Sequence, residues 1–380
     1  MAANRVCEIF GIEHPILLAG MGGASTPALA AAVSEAGGLG ILGAAACGPK
    51  MLRQWIDEVR SLTDKPFGVD TLLPASVRRE GGGGNADGPS PMDLLPEHMK
   101  FAEEFMKKEG LTPPTKEQLA EHMGASGRAP GEPQFLTKEF FDAQMQVVIE
   151  EKVPVYAAGL GNPGPWMEDM HRNGTKVMAV VGAVRHAVQV VSSGIDVIVA
   201  QGHDGGGHNS PIGTLALIPQ VVDAVGGPNG IPVLGAGGIV DGRGVAAALC
   251  LGAEGVWIGS AFLASEEAGL QPYQKQAIVD STEEGTMVSR SVTGKPARII
   301  RTKWAQAYVD AKMEPLPMPF QSMVSGQILA SGQIAKRGDI APGFAGQGIG
   351  MIRSVRPARE IFQDLVDGCK RAFDNAPHAV

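Results

Sequence analysis

The sequence predicts an α/β fold: a (β/α)8 barrel with a helical insertion after strand three and an irregular C-terminal segment. Three observations predict it. Eight short apolar runs recur along the chain, with helical patterns between them. The runs are continuous, not alternating, so each strand is buried on both faces, as in a parallel sheet covered by helices. Glycines cluster just after several runs, and the chain holds 52 of them in 380 residues, nearly twice the usual share of about 7%.

The strands are expected at PILLAG (15–20), GLGIL (38–42), PFGVDTLL (66–73), VPVYAAG (153–159), KVMAVV (176–181), DVIVAQG (196–202), PVLGAG (232–237) and GVWIG (255–259). Helical patterns lie near 27–36, 49–62, 138–151, 164–173, 183–193, 215–225 and 243–251. Eight such units make the barrel. The spacing breaks once, where about 80 residues separate strands three and four. A structureless loop of that length would count against the assignment, so the segment reads as an inserted helical excursion. The expected organisation is a barrel over 1–75 and 135–310, an inserted helical or lid segment over 76–134, and a segment over 311–380 that closes the site. Within that last segment, 311–343 reads as irregular and PAREIFQDLVDGCKRAF (357–373) as the final helix, whose apolar face would suit burial against a second copy. The GGGG tract at 81–84 reads as a flexible linker.

Composition bounds the function. With 44% hydrophobic and 19% charged residues the chain has the makings of a large globular core. A net charge of −8 and a pI of about 5.6 speak against a nucleic-acid binder. Four dispersed cysteines, with Cys47 and Cys250 in apolar surroundings as core thiols, indicate a reducing, cytoplasmic compartment rather than a disulfide framework. The N-terminal stretch lacks the apolar core of a signal peptide, and the most apolar long segment, 245–264, is broken by Glu254 and glycines, so no membrane span is expected.

Four glycine loops carry the chemistry. GLGNPG (159–164) matches G-x-G-x-x-G, but no acid follows about 20 residues on, so a plain β-to-α turn is favoured over a dinucleotide site. GAGGIVDGRG (235–244) and IGSAFLASEE (258–267) end strands seven and eight. Loops at those places in such barrels commonly bind phosphate, with Gly237, Gly238, Gly259 and Ser260 as backbone donors. AQGHDGGGHNSP (200–211) ends strand six beside them. Gln201 can donate and accept at a ring edge, while Gly206 and Gly207 leave room for a flat ligand. His208 is either a titrating group facing the reactant or a loop histidine capping a carbonyl. A metal site of His203, Asp204 and His208 is disfavoured by the glycine spacer and the lack of further ligands; none is expected.

These loops, together with PILLAGMGGASTPALAAAVSEAGGLGIL, PFGVD and FAGQGIG (344–350), resemble the nitronate monooxygenase family, formerly called 2-nitropropane dioxygenases. The likeness covers roughly 8–73 and 147–360. It implies a TIM (β/α)8 barrel with noncovalent FMN at the C-terminal face. Ala19, Gly20 and Met21 would lie beside the isoalloxazine, Gln201 at its edge, and Gly206 near the cofactor. Gly237, Gly238, Gly259 and Ser260 would hold the phosphate, and Gln347 would close the site. His208 matches the catalytic histidine. Departures are Asp70 where the family usually has Asn, Asp204 in place of Glu, His203 in place of an apolar residue, and the insertion. Asp70 could accept from flavin N3–H.

The implied activity is oxidative denitrification of alkyl nitronates with O2, giving a carbonyl compound and nitrite. His208 would serve as a nitronate-binding cation or as the base acting on a neutral nitroalkane. The alternative is an NAD(P)H-using reductase of enoyl-CoA, enoyl thioester or quinone substrates. Arg78, Arg79, Lys100, Lys107 and Lys108 of the insertion suit a CoA or nucleotide phosphate, while the interleaved Glu97, Glu103, Glu104 and Glu109 suit a solvated helix.

Overall fold

The structure, a computed structural model, describes residues 4–73, 90–120, 131–133, 135 and 137–375. The GGGG tract, Arg78 and Arg79 lie outside the described residues. Eight parallel strands form one sheet: β1 Ile16–Leu18, β2 Gly40–Gly43, β3 Phe67–Leu73, β4 Val155–Gly161, β5 Lys176–Val181, β6 Val197–Gln201, β7 Val233–Ala236 and β8 Gly255–Ile258. From β2 to β8 each pairs in parallel with the next, and β8 pairs with β1. The Leu17–Leu39 bridge links β1 toward β2, so the sheet nearly closes into the expected barrel.

Two apolar layers follow from the alternation of side chains along each strand. Ile16, Leu18, Leu42, Val69, Tyr156, Val177, Ile198, Val233 and Val256 face outward into the helices. Leu17, Leu39, Ile41, Val155, Met178, Val197, Leu234 and Trp257 fill the interior. The helix Arg5–Phe10, absent from the sequence reading, packs Val6 and Phe10 against that interior cluster. It is too short for a 3.6-residue period to register. The side chain of Asn4 accepts from Cys7 N at 3.1 Å and so caps its start.

The insertion contributes the helix Pro91–Glu109, opened by a reciprocal Ser90–Asp93 capping box. It packs against a second layer formed by the helices Lys303–Ala311 and Phe320–Ile334. Trp304 is fully buried there, with Phe105 and Tyr308 at ring separations of 5.1 and 4.9 Å. Glu109 pairs with Lys303 at 2.9 Å and Arg337 at 3.0 Å, fastening the helix at its C-terminal end.

Some expectations need correcting. The stretch 311–343 contains the 15-residue helix Phe320–Ile334. Its buried face includes Ser325, Gly326, Ser331 and Gly332, which dilute the apolar period that would have revealed it. Cys47 is buried, but Cys250 is exposed, because the last turn of the helix Gly242–Cys250 turns it outward. All four thiols are free. A three-stranded antiparallel sheet was not anticipated: Thr286–Ser289 pairs with Ala297–Ile300, which pairs with Gly207–His208. Among the described residues no helix is long and apolar enough to cross a membrane.

Candidate active site

The C-terminal ends of the strands bring the loops singled out in the sequence to one mouth. After β1, Ala19 N donates to Ile258 O at 2.8 Å. Ser25, missed in the sequence reading, locks the Ala19–Gly20–Met21 turn. Its hydroxyl donates to Ala19 O at 2.8 Å and accepts from Met21 N at 3.1 Å. A Cβ on Gly259, after β8, would lie 3.2 Å from Met21 Sδ and 3.4 Å from Ala19 Cβ, so the first and last strand ends touch.

Asp70 sits on the inward face of β3. A Cβ on Gly20 would fall inside its side chain, and Gly159 N donates to Asp70 Oδ1 at 3.1 Å. The first half of GLGNPG thus continues β4, and its first glycine serves Asp70. The carboxyl is buried with no cationic partner among the described residues, and burial holds its pKa well above the ordinary 3.8. Burial therefore favours the protonated form of Asp70.

The 201–208 loop lies directly on the 237–238 loop. Gly202 N donates to Ala236 O at 3.0 Å, and a Cβ on Gly237 would come 3.1 Å from Gly205 N. Gly237 and Gly238 have φ of 107° and 73°, so glycine is needed at both for conformation as well as for space. Asp204 Oδ2 accepts from Thr214 N at 2.8 Å, supplying the cap that Gly213 cannot give the helix Thr214–Ala224. Gln201 Nε2 donates to His208 O at 3.1 Å, leaving Oε1 to accept elsewhere. Arg298, buried below the loop and missed in the sequence reading, donates to His203 O at 3.1 Å.

His208 is half-buried. Pairing of Gly207–His208 with Ala297–Arg298 fixes its backbone, and Nε2 lies 2.9 Å from Thr293 Oγ1. Burial, followed by the nearby charge of Lys295, lowers its pKa below the ordinary 6.5. Both causes favour the uncharged imidazole. His203 Nδ1 contacts Ser210 O at 2.9 Å, so His203, Asp204 and His208 each have a separate protein partner. Among the described residues no group of three or more His, Cys, Asp or Glu is arranged to hold a metal.

The C-terminal segment crosses this mouth. Gln347 N donates to Asp204 O at 2.9 Å and Gly346 N to Ser260 Oγ at 2.8 Å. A Cβ on Gly206 would meet Ala345 C at 2.7 Å. The structure therefore brings all the predicted residues to one end of the barrel: Ala19, Gly20, Met21, Asp70, Gln201, Gly206, Gly207, His208, Gly237, Gly238, Gly259, Ser260 and Gln347. The N–H groups of Gly238 and Gly259 meet no acceptor among the described residues. Unpaired donors beside a rim of glycine and alanine fit a flat heterocycle that carries a phosphate.

A parallel β/α barrel with such a rim and an imidazole at the mouth belongs with the flavin-dependent oxidoreductases. Comparison narrows the class. The nitronate monooxygenase family model matches residues 3–368, and the chain belongs to that family. A putative monooxygenase of Mycobacterium tuberculosis is 39% identical over 377 residues, covering 96% of each chain. Among solved structures, FabK from Thermotoga maritima is 34% identical with a TM-score of 0.74, covering 100% of both chains. The nitroalkane oxidase of Streptomyces ansochromogenes is 28% identical with a TM-score of 0.79, covering 98% of this chain and 99% of that one.

Proposed function

We propose that the chain binds FMN and oxidises alkyl nitronates with O2, giving a carbonyl compound and nitrite, and that it can form the nitronate itself from a nitroalkane. The observation that carries this reading is the half-buried His208, held at the mouth by its pairing with Ala297, beside the unpaired Gly238 and Gly259 donors. Ala19, Gly20 and Met21 would lie beside the flavin ring, Gln201 Oε1 at its edge, and Gly206 and Gly207 against it. Gly237, Gly238, Gly259 and Ser260 would hold its phosphate, and Gln347 would close the site. A protonated Asp70 would offer the ring a donor instead of a fixed anion. The flavin, when bound, supplies the electron transfer between nitronate and O2.

His208 does the proton work. An uncharged imidazole is a poor clamp for an anion but a competent base, and nitroalkane acidity suits a base that is free at neutral pH. Lys295, half-buried and close enough for its charge to bear on His208, would complement the developing nitro anion.

The reductase alternative makes a pyridine nucleotide the control donor. The purified protein should be yellow, and its absorbance should bleach in anaerobic stopped flow on mixing with propyl-2-nitronate. Rapid bleaching by NADH or NADPH, with none by the nitronate, would replace this reading with that of a reductase.

A further inference from the structure

We propose that Thr293 is a positioning residue that holds His208 in the tautomer protonated on Nε2, so that Nδ1 is the atom that accepts the substrate proton. The inference rests on the reading of His208 as the base and adds which nitrogen acts and what sets it.

The geometry begins with Thr293 Oγ1. It lies 2.9 Å from His208 Nε2, 3.3 Å from Lys295 N and 3.4 Å from Lys295 O. A hydroxyl has one proton to give and two lone pairs to offer. If that proton goes to Lys295 O, the lone pairs accept from Lys295 N–H and from His208 Nε2–H, and all three contacts are satisfied. If it goes instead to a bare Nε2, Lys295 O loses that donor and the imidazole proton sits on Nδ1. The first arrangement keeps one more protein contact than the second. The first arrangement therefore prevails, and it leaves the Nδ1 lone pair bare.

The turn carrying Thr293 is clamped. Ser291 O accepts from Trp304 Nε1 at 3.1 Å and from Gln321 Nε2 at 2.8 Å. Val292 O accepts from Ser325 Oγ at 2.6 Å, and Arg290 Nε donates to Gly294 O at 3.0 Å. On the other side Ala297 pairs with His208 itself. Hydroxyl and imidazole are thus held from both ends, which a base needs if it is to meet a proton along one direction. In the step itself the substrate Cα–H bond breaks and an Nδ1–H bond forms. The freed electron pair moves onto the nitro group, and nothing is oxidised or reduced.

The test uses the flavin-loaded protein labelled with nitrogen-15 histidine. The His208 signals are assigned by their loss in His208→Gln. Long-range proton–nitrogen correlations should show Nε2 protonated and Nδ1 bare. Thr293→Val, which keeps shape and removes the acceptor, should disturb that pattern and lower kcat on nitroethane about 10-fold or more. KM should change little, and Thr293→Ser should restore both pattern and rate to within about threefold. A wild-type His208 protonated on Nδ1, or a Thr293→Val protein with the tautomer signals unmoved, overturns the proposal. If Thr293→Val does not fold, the wild-type spectrum and Thr293→Ser still decide it. Absence of turnover with every nitro compound, alongside an Nε2–H tautomer, would instead count against the proposed function and leave the positioning role standing.

Discussion

The main-chain oxygen of Asp204 accepts the N–H of Gln347 at 2.9 Å. This bond joins the loop after β6 to the C-terminal segment where the two cross the mouth. Little room exists beside it: a Cβ on Gly346 would lie 2.7 Å from Asp204 O and 3.2 Å from Gly206 N. Gly346→Ala is expected to push the strap outward, cost about 1–3 kcal/mol, and loosen the flavin. Urea unfolding and the absorbance retained after desalting measure the two effects. Wild-type values in both would mean the strap does not cover the site.

The carboxylate of Asp204 has its own task at Thr214 N. Its removal in Asp204→Ala should cost about 1 kcal/mol, as loss of a helix cap does, with Asp204→Asn milder. Equal stability of both variants and wild type in thermal unfolding would disprove the capping role.

Asp70 predicts an unusual pH dependence. Its folded-state pKa is raised above 3.8. Between those two values the folded chain holds a proton that the unfolded chain has lost, so rising pH weakens the fold. Asp70→Asn keeps an acceptor for Gly159 N and removes this loss. The variant should match wild type near pH 4 and exceed it increasingly above, by up to about 1.4 kcal/mol per pH unit within the window. Urea midpoints at pH 5 and 8 test it, and a gap that narrows toward pH 8 would contradict the neutral acid.

The lowered pKa of His208 sets the activity profile. On a nitroalkane, kcat/KM should rise with pH through one ionisation below 6.5 and be flat from neutral pH upward. Lys295→Met removes one cause of the lowering, so the midpoint should move up. A midpoint unmoved by that change would place Lys295 too far away to matter.

Trp304 links the insertion's packing to the site, because its indole N–H donates to Ser291 O on the Thr293 turn. Trp304→Ala should cost about 3–5 kcal/mol. Trp304→Phe should cost less but still reduce turnover on nitroethane. Full turnover in Trp304→Phe would show that the turn needs no support from that side.

The barrel was legible because its strands are continuous apolar runs. KVMAVV was placed at 176–181, the residues that form β5, and the other seven runs overlap their strands. The candidate mouth was legible because glycine has few uses other than close approach and left-handed turns, and Gly237 and Gly238 serve both. Thr293 and Ser25 were not legible. A threonine in TGKPAR and a serine in GASTP look like turn residues, and their partners lie far along the chain or on its own backbone. The sheet pairing Gly207–His208 with Ala297–Arg298 was hidden for a related reason: two residues of strand leave no alternation to detect. Helix Phe320–Ile334 escaped because small polar residues fill its inner face.

Val6 and Phe10 of the first helix stopper the barrel at the end opposite His208. The interior is therefore a packed core and not a conduit. Whatever reaches the imidazole must turn round and leave by the opening through which it came. Under the proposed reaction, product and oxidant would share that one doorway.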